Sequence, residues 1–194
     1  MTRVQRRIAF HIANLASPDP KVSMRGEWNL IRFYGGKATQ ELIAACASPN
    51  PTVRVRAVWC LGLAKDPAAY ETILALTDDP DERVQYDAVL ALGELGDPRA
   101  IEPLYRMALE DDETRPAVGG LWRLGFPALE AVERLYRNGK ELTRHAAVNC
   151  AGGMAEMEHC HERCVALLRA ACNDPVGSIR SDAHYWLKEL GIEP

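Results

Sequence analysis

The stretch Asp79-Pro80-Asp81-Glu82-Arg83-Val84-Gln85-Tyr86-Asp87-Ala88-Val89-Leu90-Ala91-Leu92-Gly93-Glu94-Leu95-Gly96-Asp97-Pro98-Arg99-Ala100-Ile101-Glu102-Pro103-Leu104 decides the fold. Val84, Ala88 and Leu92 stand four apart and Leu95 follows three later, which puts all four on one face of a helix. Ahead of them, Asp79-Pro80-Asp81 offers a capping carboxylate and a proline suited to a first helical turn. Behind them, Gly96-Asp97-Pro98 ends that helix and starts another. The stretch reads as turn, helix, turn, helix.

The same reading recurs along the chain with a period near 30 residues. Taking Ala88 as anchor, the equivalent small residues are Gly26, Ala57, Ala88, Ala117, Ala147 and Ala183, spaced 31, 31, 29, 30 and 36 apart. Four positions before them stand Val22, Val53, Val84, Glu113, Thr143 and Ile179, and four after stand Leu30, Leu61, Leu92, Leu121, Ala151 and Leu187. The seventh position adds Phe33, Ala64, Leu95, Leu124, Met154 and Leu190, completing a core stripe of about three turns in each unit. Turn signals keep register with it, among them Ser17-Pro18-Asp19-Pro20, Ser48-Pro49-Asn50-Pro51 and Asp174-Pro175 before anchor helices, and Gly35-Gly36, Asp66-Pro67 and Gly125-Phe126-Pro127 after them. The first helix of each pair is predicted near 4–15, 38–47, 67–77, 98–110, 127–138 and 157–172. An isolated pair cannot bury its apolar face, but stacked pairs share a core. The expected fold is all-α, a right-handed solenoid of about six antiparallel helix pairs forming one domain over 1–194.

Composition agrees. The chain has 194 residues, 47% apolar and only 7% aromatic, and Ala, Leu, Glu and Arg, all good helix formers, dominate it. No run approaches the length of a membrane span, and the basic residues 1–7 lead into a mixed run instead of a signal-peptide core. A soluble, cytoplasmic protein is expected, with no membrane contact. Cys46, Cys60, Cys150, Cys160, Cys164 and Cys172 sit mostly among Ala and Leu in helical patterns, so they read as reduced core thiols.

The quoted stretch closely resembles the short HEAT-like repeat of phycobilisome lyases, and weaker likeness extends over essentially the whole chain. The fourth unit, with Arg115-Pro116 and Gly119-Gly120, and the fifth, with Gly152-Gly153, depart most. The resemblance implies a curved stack with a binding surface. It implies no reaction, because the repeat occurs in lyase subunits, scaffolds and regulators alike.

In solenoids of this kind the second helix of each pair lines the concave face. Positions two before, two after and six after each anchor then point into the groove: Met24, Trp28 and Arg32; Val55, Trp59 and Leu63; Tyr86, Leu90 and Glu94; Arg115, Gly119 and Arg123; His145, Asn149 and Gly153; Ser181, Tyr185 and Glu189. Trp28, Trp59 and Leu90 hold equivalent places in three consecutive units. They fit either of two arrangements: core wedged between helix pairs, or an exposed apolar groove of Met24, Trp28, Arg32, Val55, Trp59, Tyr86 and Leu90 that binds a partner. Charge is also uneven. Residues 1–37 carry seven Lys or Arg against two acids, whereas 66–113 carry three against fourteen. Acids near helix starts account for part of this, and steering of a complementary partner is the other reading.

Signals for chemistry are sparse. His159-Cys160-His161-Glu162-Arg163-Cys164 is the densest set of ligand-type side chains, lying where the repeat runs about five residues long. No second Cys or His pair stands at a recognised spacing, so no metal and no cofactor are expected. The architecture is similar to deoxyhypusine hydroxylase, yet the His-Glu pairs that supply iron ligands there are reduced here to His161-Glu162. DNA alkylation-repair glycosylases also use a HEAT-like groove with tryptophans and a carboxylate, matched in outline by Trp28, Trp59 and Asp87. A chain of net charge −4 with an acidic middle argues against nucleic acid. The expected function is a non-catalytic interaction module or scaffold binding a protein or peptide in its concave groove. The alternative, implied by the resemblance alone, is a subunit of a bilin-lyase-type enzyme. Trp28 and Trp59 open to solvent would favour the first, and a deep polar pocket gathering His145, Asn149 and Tyr185 would favour chemistry.

Overall fold

The computed structural model describes residues 1–110 and 115–193, the Arg115 side chain excepted. It is helical throughout these residues and contains two compact units, residues 1–97 and 98–194. The first unit holds three helix pairs: α1 (Arg3–Asn14) with α2 (Pro20–Asn29), α3 (Thr39–Ala45) with α4 (Pro51–Ala64), and α5 (Tyr70–Ala75) with α6 (Glu82–Leu95). The second holds α7 (Ile101–Glu110) with α8 (Arg115–Leu124), α9 (Leu129–Asn138) with α10 (Glu141–Met154), and α11 (His161–Ala171) with α12 (Gly177–Glu189). Within each unit the second helices lie side by side, α4 against α2 and α6, and α10 against α8 and α12. Among the described residues no helix is long and apolar enough to cross a membrane.

Local sequence accounts for the helix starts. Asp19, Asn50 and Asp81 each accept a hydrogen bond from the backbone N–H two residues on, at 2.9, 3.0 and 3.0 Å, satisfying a donor that the first turn cannot pair internally. Thr2 and Gln5 exchange side-chain to backbone bonds in a capping box at the start of α1. Gly96, with φ +75°, ends α6 in the left-handed conformation that glycine adopts at no steric cost.

The anchor stripe is the core. All six anchors are buried, as are all six residues four positions later. Glu113, the fourth unit's position ahead of its anchor, and the acidic run at 111–113 lie outside the described residues. Among the described stripe positions four depart from expectation: Val22 is exposed, Phe33 is 65% exposed, and Ala64 and Leu190 are half-buried. For Phe33 the cause is local, because α2 passes at Leu30–Tyr34 into a π-helical turn. Its wider i→i+5 spacing rotates residue 33 off the stripe. The last first-helix also differs, since α11 begins at His161 and not near 157. The extra residues of the long interval form a turn in which His159 takes φ +64°.

Close helix approach needs small residues at the contacts. A Cβ built on Gly62 in α4 would stand 2.9 Å from Ala91 of α6, so these helices meet nearly backbone to backbone. The Gly152-Gly153 pair, which weakens the repeat pattern, has the same explanation. The indole of Trp186 from α12 lies over Gly152, and that of Trp122 from α8 approaches Gly153. Two large side chains share the room that two missing ones leave.

A polar link repeats in both units. Three positions before its anchor, Arg54 donates from Nε and a terminal nitrogen to the two oxygens of Asp79, at 2.8 and 2.7 Å, and from its other nitrogen to the Ser48 carbonyl at 2.9 Å. Arg144, in the same register, makes the equivalent fork to Asp174 at 3.0 and 3.2 Å. Each aspartate also caps the following turn through Asp81 N–H or Val176 N–H, both at 2.9 Å. The arginine beside each acid holds its carboxyl below the ordinary range. Consecutive repeats are thereby joined by a buried, fully hydrogen-bonded carboxylate.

Candidate functional site

The seven residues picked out by offset all fall in the first unit, on α2 with the π turn that follows it, α4 and α6. Met24, Trp28 and Tyr86 are 65%, 61% and 52% exposed. Arg32 is exposed on the π turn, its guanidinium carbon 5.7 Å from the centre of the Trp28 ring, which places a cation against the indole. Val55, Trp59 and Leu90 are half-buried. Trp28 therefore stands open to solvent, whereas Trp59 is partly embedded between its neighbours.

Charged groups adjoin this apolar face. Arg56 on α4 pairs with Glu27 on α2 at 3.3 Å and also donates to the Leu15 and Ser17 carbonyls, fixing α4 to the end of α1. Burial pushes the Glu27 carboxyl above its ordinary value, with Arg56 opposing and Asp87 reinforcing the shift. Burial likewise raises Asp87 on α6. Cys60 lies buried nearby as a free thiol, raised by the same desolvation.

In the second unit the groove positions build something different. A cleft of about 440 Å³ opens between α8 and α10, with Gly119, Trp122, Leu142, His145 and Asn149 in its lining. His145 Nε2 lies 3.0 Å from Asp182 Oδ2, and Asn149 donates to the same oxygen at 2.6 Å. Trp186 Nε1–H donates to Asn149 Oδ1 at 2.8 Å, which orients the amide. The cleft gathers His145 and Asn149 but not Tyr185, which is 55% exposed and packs edge-on against Trp186. Its walls are mainly apolar.

Cys160 and Cys164 are buried, His159 and His161 are exposed, and His161 Nδ1 lies 3.0 Å from the Ala155 carbonyl. Burial drives the Cys164 thiol up to about 12, which disfavours the thiolate a metal would need. Among the described residues no group of three or more His, Cys, Asp or Glu side chains is placed to hold a metal ion. Offset reasoning missed Trp122, Asp182 and Trp186. Asp182 shares its register, one before the anchor, with Arg56 and Asp87, so extending the offsets by one position would have found it.

Stacked helix pairs with a buried repeat stripe define an all-α helical-repeat protein of the solenoid class. More narrowly, residues 39–117 match the model of the HEAT repeats family and carry such repeats. Among solved structures, the complex of CpcE and CpcF of phycocyanin lyase from Nostoc sp. PCC7120 aligns with a TM-score of 0.53 at 19% identity, covering 95% of this chain and 77% of that one. A designed armadillo repeat protein in complex with the peptide (KR)4 aligns at 0.49 and 17% identity over 93% and 98% of the two chains. Human deoxyhypusine hydroxylase aligns at 0.44 and 19% identity over 94% and 95%. No match was found among the curated proteins. The first of these likenesses shows the fold alone and leaves the activity to be argued from the residues.

Proposed function

We propose that the protein is a non-catalytic interaction module whose first unit binds a protein partner, or an extended peptide segment of one, through Met24, Trp28, Arg32, Val55, Trp59, Tyr86 and Leu90. The observation that carries this reading is the exposure of Trp28, at 61%, with Met24 on the same helix and Tyr86 on α6 also exposed. Large apolar side chains held in water by a folded scaffold cost free energy that a partner recovers by covering them. Tryptophan, tyrosine and arginine are also the residues most enriched where binding energy concentrates. Val55, Trp59 and Leu90, half-buried, form the floor against which such a partner would rest, and Arg32 adds a cation beside the Trp28 indole.

The test is capture with Trp28→Ala/Tyr86→Ala beside the wild type. Both side chains are mostly exposed, so helicity and melting should change little. Loss of one hot-spot residue costs about 2 kcal/mol, or about thirtyfold in Kd, enough for the variant to release a partner that the wild type retains. Identical sets of proteins retained by two equally folded baits would sink the proposal.

A further inference from the structure

The second position after each anchor reads Trp28, Trp59, Leu90, Gly119, Asn149, Tyr185. In the fourth unit the row has no side chain at all. Gly119 lines the cleft of about 440 Å³ between α8 and α10, a size within the usual range of small-ligand sites. Its walls include Trp122 and Leu142, 40% and 46% exposed. Apolar surface is thus presented to solvent around a gap, where the first three units have only large side chains.

The polar side of the cleft narrows what fits. Asn149 is committed: its amide nitrogen donates to the His145 carbonyl and to Asp182, and its oxygen accepts from Trp186. The Asp182 carboxylate accepts at Oδ2 from His145 Nε2 as well, so a neutral imidazole carries its proton on Nε2. Nδ1 of His145 is then a fixed acceptor without a partner among the described residues, on a ring that lines the cleft. The lining residues include no aspartate, glutamate, lysine or arginine and are mainly apolar, so an uncharged group is favoured.

We propose that this cleft is a binding site for an uncharged aromatic group bearing one hydrogen-bond donor, of the phenol type, its ring against Trp122 and its hydroxyl donating to His145 Nδ1. The site lies wholly in the second unit and does not depend on the first unit's function. A phenol can arrive as a free small molecule or as a tyrosine side chain, and the test separates the two.

Isothermal titration calorimetry of the full chain with 2-naphthol, 2-methoxynaphthalene, and the capped tripeptides Ala-Tyr-Ala and Ala-Phe-Ala is the experiment. Either 2-naphthol or the tyrosine peptide should bind, and its partner lacking the hydroxyl should bind about tenfold more weakly, the worth of one hydrogen bond. Tighter binding by naphthol assigns the site to free ligands, and tighter binding by the peptide assigns it to a partner's side chain. His145→Phe should bring the hydroxyl compound down to the level of its analogue. Gly119→Leu should abolish binding by filling the gap, and where that variant melts early, His145→Phe decides. The proposal is overturned by hydroxyl compounds that bind no better than their analogues. Absence of binding by both hydroxyl compounds, or unchanged binding to a normally folded Gly119→Leu, overturns it equally.

Discussion

Replacing Gly152 by alanine should destabilise the protein, although the same exchange inside an ordinary helix stabilises by about 1 kcal/mol. A Cβ at residue 152 would stand 2.1 Å from Cδ2 of Trp186. Carbon atoms in contact settle about 3.5–4.0 Å apart, so α12 or the indole must retreat by roughly 1.5 Å. Forced repacking of this kind costs about 1–3 kcal/mol, and a displaced indole also loses its bond to Asn149, worth about 1 kcal/mol. Setting the helix-propensity gain against these leaves a net loss of about 2 kcal/mol. Gly153 supplies the control one residue away. There the added methyl meets only Trp122 Nε1 at 3.0 Å, on an indole that is 40% exposed and can swing aside. Gly153→Ala should therefore be neutral or slightly stabilising. Urea denaturation followed by far-UV circular dichroism measures both variants against wild type, with slopes compared so that midpoints can be converted. In a Trp186→Leu background the cost of Gly152→Ala should largely vanish, a coupling that a double-mutant cycle isolates. Should Gly152→Ala prove as stable as Gly153→Ala, the packing argument for the two glycines would be wrong.

Asp174→Asn should cost about 2 kcal/mol at pH 7, less than the full loss for a buried pair because Arg144 keeps some contact with water. The folded carboxyl is held below its ordinary value, so its contribution is complete above the unfolded value near pH 4 and disappears as pH falls through the folded one; urea midpoints at pH 7, 4 and 3 should converge for variant and wild type, and a gap that persists in acid would refute the assignment. Native thiols should resist Ellman's reagent at pH 8, since burial lifts Cys46 and Cys164 up to about 12. Half-buried Cys172 should react first, and rapid titration of several thiols without denaturant would contradict the burial described.

The fold was legible because each unit repeats one arrangement under one constraint. A small anchor with Leu or Ala four residues on must be buried wherever helix pairs stack, and the six anchors meet that condition. Where reading along the sequence failed, the cause was a change of helical pitch or a contact between distant residues. Nothing in Leu30-Ile31-Arg32-Phe33-Tyr34 announces a π turn, so Phe33 was assigned to a stripe that the wider turn abandons. Gly152-Gly153 read as weakened repeat because their value lies in Trp122, 31 residues before Gly153, and Trp186, 34 residues after Gly152. The Arg54–Asp79 and Arg144–Asp174 links went unseen for the same reason, although both sit at fixed offsets from their anchors.

The candidate sites were legible to the extent that they share the repeat's register. Burial fixes the anchor row and leaves the row two positions later unconstrained, so that row can change chemistry from unit to unit without disturbing the stack. It reads Trp, Trp, Leu, Gly, Asn, Tyr. In the first unit, large side chains produce an apolar face with Trp28 in solvent. In the second, the missing side chain at Gly119 and the amide at Asn149 produce a cleft with one polar wall. The register could locate both surfaces, but it could not foresee that Trp122, five positions after its anchor, would form a wall, or that Asp182 would orient His145. Those roles depend on how far one helix stands from the next, which here is set by glycines: Gly62 draws α4 onto α6, and Gly152 admits the indole that aligns Asn149. The anchor row therefore decides the architecture, and the glycines, through helix spacing, decide what the variable row can do.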